Sequence, residues 1–193
     1  SRRFGAWANK EYCITKGIES YEIMYTEVGA NENSQHGRNR RSSPLYSMLA
    51  NKGGVHGAVA GYEKTLWFKN EKVNHEALTW TRSNTHTIVG EECYTVQNAA
   101  GIMDISGAAK FEIKGKDAQS FLDHLSCNKL PSKNGTLGLT LFHGNNGGIM
   151  TEQSITKIDD DLFYLVGPIL SEYRDEHWMK SNSVDFAVEI INK

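Results

Sequence analysis

Gly144-Asn145-Asn146-Gly147-Gly148 stands between two strand-like runs, residues 137 to 142 and 149 to 158. Asn and Gly tolerate positive φ at little cost, so this cluster predicts a tight reversal joining two antiparallel strands. That hairpin commits the second half of the chain to a sheet. Around it, Lys110-Phe111-Glu112-Ile113-Lys114 alternates as a strand does and is closed by Gly115. Asp161 to Val166 reads as a further strand broken by Gly167-Pro168, and Val184 to Ile191 as a last one. Asp117 is positioned to cap a helix whose Ala118, Phe121, Leu122 and Leu125 follow the i, i+3, i+4, i+7 stripe. Leu170, Tyr173, His177 and Trp178 mark one face of another helix. Strand, helix, hairpin, strand, helix, strand predicts an α+β fold, an antiparallel sheet with helices packed on one side.

The first half is less regular. Residues 9 to 25 predict a helix with Ile14, Ile18, Tyr21 and Tyr25 on one face, weakened by Gly17. Residues 29 to 43 are polar, and the cluster Arg38-Asn39-Arg40-Arg41 reads as a solvated connecting loop. Ser43 suits an N-cap and Pro44 a first helical turn, because proline lacks the N–H that would be unpaired there. Residues 55 to 68 look extended, with a turn around Gly61 to Lys64; residues 71 to 85 read as loop. A helix is expected over Ile88 to Ala100, stopped by Gly101.

Composition narrows the functional classes. A chain of 193 residues with 39% hydrophobic residues is long enough for a real core. A formal charge of -2 gives no electrostatic case for nucleic acid or an acidic membrane surface. No apolar run approaches the roughly 18 residues of a membrane-spanning helix. Cys13, Cys93 and Cys127 form no C-x-x-C pair, which points to reduced thiols, and seven scattered histidines offer no metal spacing. No P-loop or dinucleotide glycine fingerprint is present, so no FAD site is expected in this chain.

The order of motifs is more specific than any of them singly. Ser43-Pro44-Leu45-Tyr46, Lys52-Gly53-Gly54-Val55-His56-Gly57 and Gly61-Tyr62-Glu63-Lys64-Thr65-Leu66-Trp67-Phe68 come first. Gly101 to Ser106 with Lys110-Phe111, Gly115-Lys116-Asp117-Ala118 with Phe121-Leu122, and Asn146-Gly147-Gly148-Ile149 follow, then Ser171-Glu172 with Asp175 and Trp178. In this order they resemble the folate-binding half of dimethylglycine and sarcosine dehydrogenases, a module shared with the aminomethyltransferase (T protein) of the glycine cleavage system. The resemblance implies an aminomethyltransferase-like folate-binding domain over residues 44–193, incomplete at its C-terminus. Residues 1–43 would be the helix and connection that join a flavin domain in the relatives. A truncated module implies a fragment of a longer protein, work with a second chain, or a chain that has lost the reaction.

The resemblance also implies chemistry: transfer of a one-carbon unit from a methylated glycine donor to tetrahydrofolate, giving 5,10-methylenetetrahydrofolate. In the aminomethyltransferases the hairpin runs G-G-I-x-D-D, and the second acid contacts the pteridine. Here that position is Glu152, preceded by Thr151 and followed by Gln153. Glu152 is thus the expected catalytic and folate-contacting acid; the alternative is an ordinary Glu on a solvated strand face. The resemblance places Glu63 and Trp67 near a cavity wall and makes Leu139 and Leu141 apolar neighbours of the pterin; the alternative for Trp67 is a core aromatic. Tyr62 and Thr65 replace the usual Trp and Pro. Asp104 and Ser106 read as a local turn. A non-catalytic regulatory or assembly domain on the same fold is the other reading, kept open by Thr151 and Gln153, which break the paired acids. The expected location is cytoplasmic, or the mitochondrial matrix in a eukaryote.

Overall fold

The computed structural model describes residues 9–27, 29 and 32–193. The chain divides into two compact units, residues 1–107 and 108–193. No helix among the described residues is long and apolar enough to cross a membrane.

The second unit follows the sequence pattern closely. Its strands, numbered after β1 (Gly54–Val59) and β2 (Tyr62–Phe68) of the first unit, are β3 (Ala109–Lys114), β4 (Leu137–His143), β5 (Ile149–Asp159), β6 (Leu162–Gly167) and β7 (Glu189–Asn192). They form one sheet in the order β4-β5-β6-β3-β7, antiparallel at every pairing. Alternation sends Phe111, Ile113, Ile155, Phe163 and Leu165 to one face, where all are fully buried. Helix α4 (Ala118–Leu125) lays Ala118, Phe121, Leu122 and Leu125 into that face, and α5 (Glu172–Ser181) adds Met179. The expected sheet with helices on one side is what forms. Between β4 and β5, Gly144 N–H donates to Gly148 O (2.8 Å) and Gly147 takes φ of 77°, a conformation open to glycine.

Three details differ from the sequence reading. Asp117 precedes α4 but makes no side-chain cap; its carboxylate accepts the backbone N–H of Ala187 at 2.8 Å. The final strand, expected from Val184, begins only at Glu189, because that amide is held by Asp117 and Ser183 to Phe186 turn back on themselves. At α5 the expected apolar stripe is not the buried one: Leu170, in the turn before the helix, and Tyr173 are exposed, whereas Glu172, Asp175 and Met179 are buried.

The first unit holds helices α1 (Lys10–Glu22), α2 (Tyr46–Asn51) and α3 (His86–Asn98) and a two-stranded sheet of β1 (Gly54–Val59) and β2 (Tyr62–Phe68). Asn9 caps α1, its Oδ1 accepting the Tyr12 N–H at 2.8 Å. The stripe Ile14, Ile18, Tyr21 and Tyr25 is exposed, and Glu19 is the residue α1 buries. The hairpin turns at Ala60-Gly61, one residue ahead of the expected span, with φ of 53° and 75°. Two consecutive left-handed residues make the turn whose twist matches a hairpin. Ser43 Oγ accepts the Leu45 N–H (2.9 Å) at the entry to α2, and Asp104 Oδ1 accepts the Ser106 N–H (2.9 Å), the local turn expected there.

Candidate functional site

The hairpin β4–β5 assembles the candidate site. Because side chains alternate along a strand, Thr151, Gln153 and Ile155 point into the covered face, and Glu152, Ser154 and Thr156 to the opposite one. Across the ladder Glu152 faces Leu141, Ser154 faces Leu139 and Thr156 faces Leu137. Directly opposed residues share a face with their Cβ atoms within contact reach. The structure therefore brings Glu152, Leu139 and Leu141 together on one face. Leu139 is 55% exposed, Leu141 half-buried and Glu152 exposed.

On its other side Glu152 stands clear of the sheet. Ser154 pairs with Val166, so Glu152 lies two residues further along, beyond Gly167, the last strand residue of β6. The Glu152 carboxylate makes no hydrogen bond or ion pair among the described residues, and the face around it continues with Val166, Tyr164 and Lys110. A free carboxylate flanked by leucines on a rigid sheet can order a flat polar-edged ring. It can also oppose a positive charge without moving to do so.

Directly behind Glu152 is a cluster the sequence reading missed. Asp175 Oδ2 accepts from Thr151 Oγ1 (2.8 Å), Gln153 Nε2 (2.9 Å) and Ser171 Oγ (2.6 Å). Arg174 reaches Asp175 Oδ1 through Nε (3.3 Å) and Nη2 (3.2 Å). The signal was present: two polar residues at inward positions of a core strand require a polar partner from the covering helix.

Glu63 and Trp67 lie in the other unit. Glu63 is buried, and its carboxylate accepts from Arg38 Nε (2.8 Å) and Nη2 (2.5 Å) and from the Asn39 N–H (2.8 Å). Arg38 Nη2 also donates to His56 O at 2.9 Å. The hydrogen-bonded Arg38 guanidinium, helped by the Asn39 amide, holds the Glu63 carboxyl below its ordinary value against the opposing effect of burial. Glu63 in turn raises the Arg38 value. The cluster Arg38 to Arg41 is thus not the solvated loop its composition suggested. Arg38 is paired, Arg41 O accepts the Glu63 N–H (2.8 Å), and the Arg41 guanidinium lies 5.5 Å from the Tyr62 ring centre. Trp67 is 3% exposed, a buried aromatic opposite Val55. Among the described residues no group of three or more His, Cys, Asp or Glu side chains could hold a metal ion.

Comparison with known proteins places this arrangement. The family described as GCVT N-terminal domain matches residues 45–193. The chain belongs to that family. Dimethylglycine dehydrogenase of Rattus norvegicus, a mitochondrial protein by its name, is 31% identical over 98% of this chain and 22% of its own length. An aminomethyltransferase of Alkaliphilus oremlandii is 29% identical over 79% of this chain and 37% of its own. Formaldehyde-forming 4-methylaminobutanoate oxidase of Paenarthrobacter nicotinovorans is 26% identical over 89% of the chain. Among solved structures, the glycine cleavage system aminomethyltransferase T from Bartonella henselae aligns with a TM-score of 0.61 at 18% identity, covering 79% of this chain and 38% of that one. The family member described here thus spans 22% of the dehydrogenase and 37% of the aminomethyltransferase it matches.

Proposed function

We propose that this chain is the amino-terminal part of a tetrahydrofolate-binding, aminomethyltransferase-like module. In the intact protein the module accepts a one-carbon unit from an oxidised N-methylglycine and yields 5,10-methylenetetrahydrofolate. The observation that carries the reading is the Glu152 carboxylate, unengaged among the described residues, beside Leu141 and Leu139 on the open sheet face. Glu152 stands at the second acid position of the motif. Thr151 and Gln153, which depart from the paired acids, point to the opposite face, so their substitution removes no charge from the Glu152 side. That weakens the case for a non-catalytic regulatory or assembly domain.

Tetrahydrofolate supplies the secondary amine that accepts the one-carbon unit. Leu139 and Leu141 offer an apolar bed for a flat ring, and its burial on them dries the surroundings of Glu152. In that lower dielectric the carboxylate favours the cation that develops as the carbon–nitrogen bond forms. The same carboxylate takes the proton that the accepting amine must then lose. The donor would be generated by an amine-oxidising flavin domain joined to the module in the intact protein. In a eukaryotic source the mitochondrial matrix is the corresponding location.

Anaerobic calorimetric titration with tetrahydrofolate tests the reading. Glu152→Gln is expected to weaken binding about tenfold or more, since a charge-assisted hydrogen bond contributes roughly 1.5–3 kcal/mol. Undiminished affinity in a folded Glu152→Gln chain would remove Glu152 from the site.

A further inference from the structure

The residues on both sides of Glu152 in β5 are tied to one carboxylate on the far side of the sheet. Thr151 and Gln153 donate to the same oxygen of Asp175, at 2.8 and 2.9 Å, and Ser171 fixes that oxygen from the start of α5 at 2.6 Å. All four side chains are buried, Asp175 to 1% and Gln153 completely. The Gln153 amide is also wedged against Gly167, where a Cβ would come within 2.4 Å of Nε2. It therefore has one place to lie.

This is an expensive way to fill a core. Leucine or valine at these positions would pack with Ile155 and Phe163 at no desolvation cost, and such replacements of buried polar groups are often neutral or stabilising. Gln153 Oε1 is buried and lacks a partner among the described residues, a further cost. What the polar cluster supplies and an apolar one would not is direction. Two bonds straddling position 152 resist rotation of that stretch of strand about its axis and a slip of its register. A one-residue slip would turn Glu152 into the core.

We propose that Asp175 is a positioning residue for Glu152, holding the strand on either side of it so that its carboxylate projects squarely from the open face. The inference rests on the reading of Glu152 as the acid that meets the ligand. Asp175 touches no ligand; it acts through β5.

A double-mutant cycle read by tetrahydrofolate titration and by amide hydrogen exchange tests it. Asp175→Asn, and the milder Thr151→Val should the first fail to fold, are each made alone and with Glu152→Gln. In the wild-type background each is expected to weaken binding about tenfold, and in the Glu152→Gln background less than twofold. Amide exchange at Thr151 to Gln153 is expected to quicken about tenfold more than at Phe163 to Leu165 on β6, with or without ligand. Equal loss of affinity in both backgrounds, or a lowered Tm with exchange raised uniformly across the sheet, would overturn the proposal and leave Asp175 a stability residue. Failure of Glu152→Gln alone to alter binding would instead overturn the reading of Glu152, and this inference with it. Local exchange at β5 that stays at the wild-type rate in folded Asp175→Asn would overturn the proposal whether or not the ligand binds.

Discussion

Residues 108–193 are built on a large apolar core, whereas the described residues of the first unit bury little apolar surface and lean on two carboxylates. In the second unit Phe111, Phe121, Phe142 and Phe163 are fully buried between sheet and helices. In the first, Trp67 and Ile88 are the apolar side chains buried among the described residues, while Ile14, Ile18, Trp80, Ile102 and Met103 are at least half exposed. Two buried carboxylates do the fastening there. Glu63 straps the segment 38–39 to the hairpin, and Glu19 pins residues 34–36 to α1 through Ser34 Oγ and the N–H groups of Gln35 (2.7 Å) and His36 (3.1 Å). A fastening made by carboxylates is lost when acid protonates them.

The contrast can be broken from either side. Phe121→Ala removes a fully buried ring from the larger core and is expected to cost about 3–5 kcal/mol, read as an earlier denaturant midpoint for the second unit. Glu63→Gln leaves Arg38 with a neutral partner; a loss of about 3 kcal/mol is expected, confined to the first unit, with the exchange protection of β3 and β6 unchanged. Equal loss of protection in both units would show that the fastening is not local.

Acid separates the units next. Burial raises the Glu19 carboxyl, but Lys16, Ser34 and the two amides more than reverse this and lower it from 4.5 to about 2. Glu63 is also lowered, by Arg38 first. A carboxyl whose folded value is depressed contributes stability above its unfolded value and loses it as pH falls toward the folded one. The first unit is therefore expected to weaken progressively from about pH 4.5 to pH 2, by on the order of 2 kcal/mol for Glu19, with the second unit changing less. Amide exchange across that range checks it. The smallest effect belongs to Ile18→Ser on the exposed stripe of α1, expected within about 0.5 kcal/mol by chemical denaturation.

The same contrast explains what the sequence made legible. Alternation in β3 and the stripe of α4 predicted their burial correctly, because those elements bury apolar groups against apolar groups. The positions of Glu152, Leu139 and Leu141 came from the resemblance, and only the register of the structure sets them on one face. Reasoning from a local period inverts where polar groups are what is buried. α1 shows its isoleucines and buries Glu19, and α5 shows Tyr173 and buries Asp175. The partners of those carboxylates lie far along the chain, Gln35 from Glu19 and Thr151 from Asp175, and a local period carries no information about them. Arg38 looked like loop because its match, Glu63, is 25 positions away.

Gly115 carries a consequence for solubility. At φ of 140° its missing side chain leaves room for Ala187 O, which a Cβ would meet at 2.2 Å. That close approach lets the returning chain lay β7 along β3. Any larger residue at 115 would lift this strip away and bare a row of unpaired backbone groups on β3, the kind of edge along which sheets of separate molecules join. Gly115→Ala is thus expected to announce itself as concentration-dependent light scattering, with molecules sticking edge to edge while the helical side of the unit stays folded.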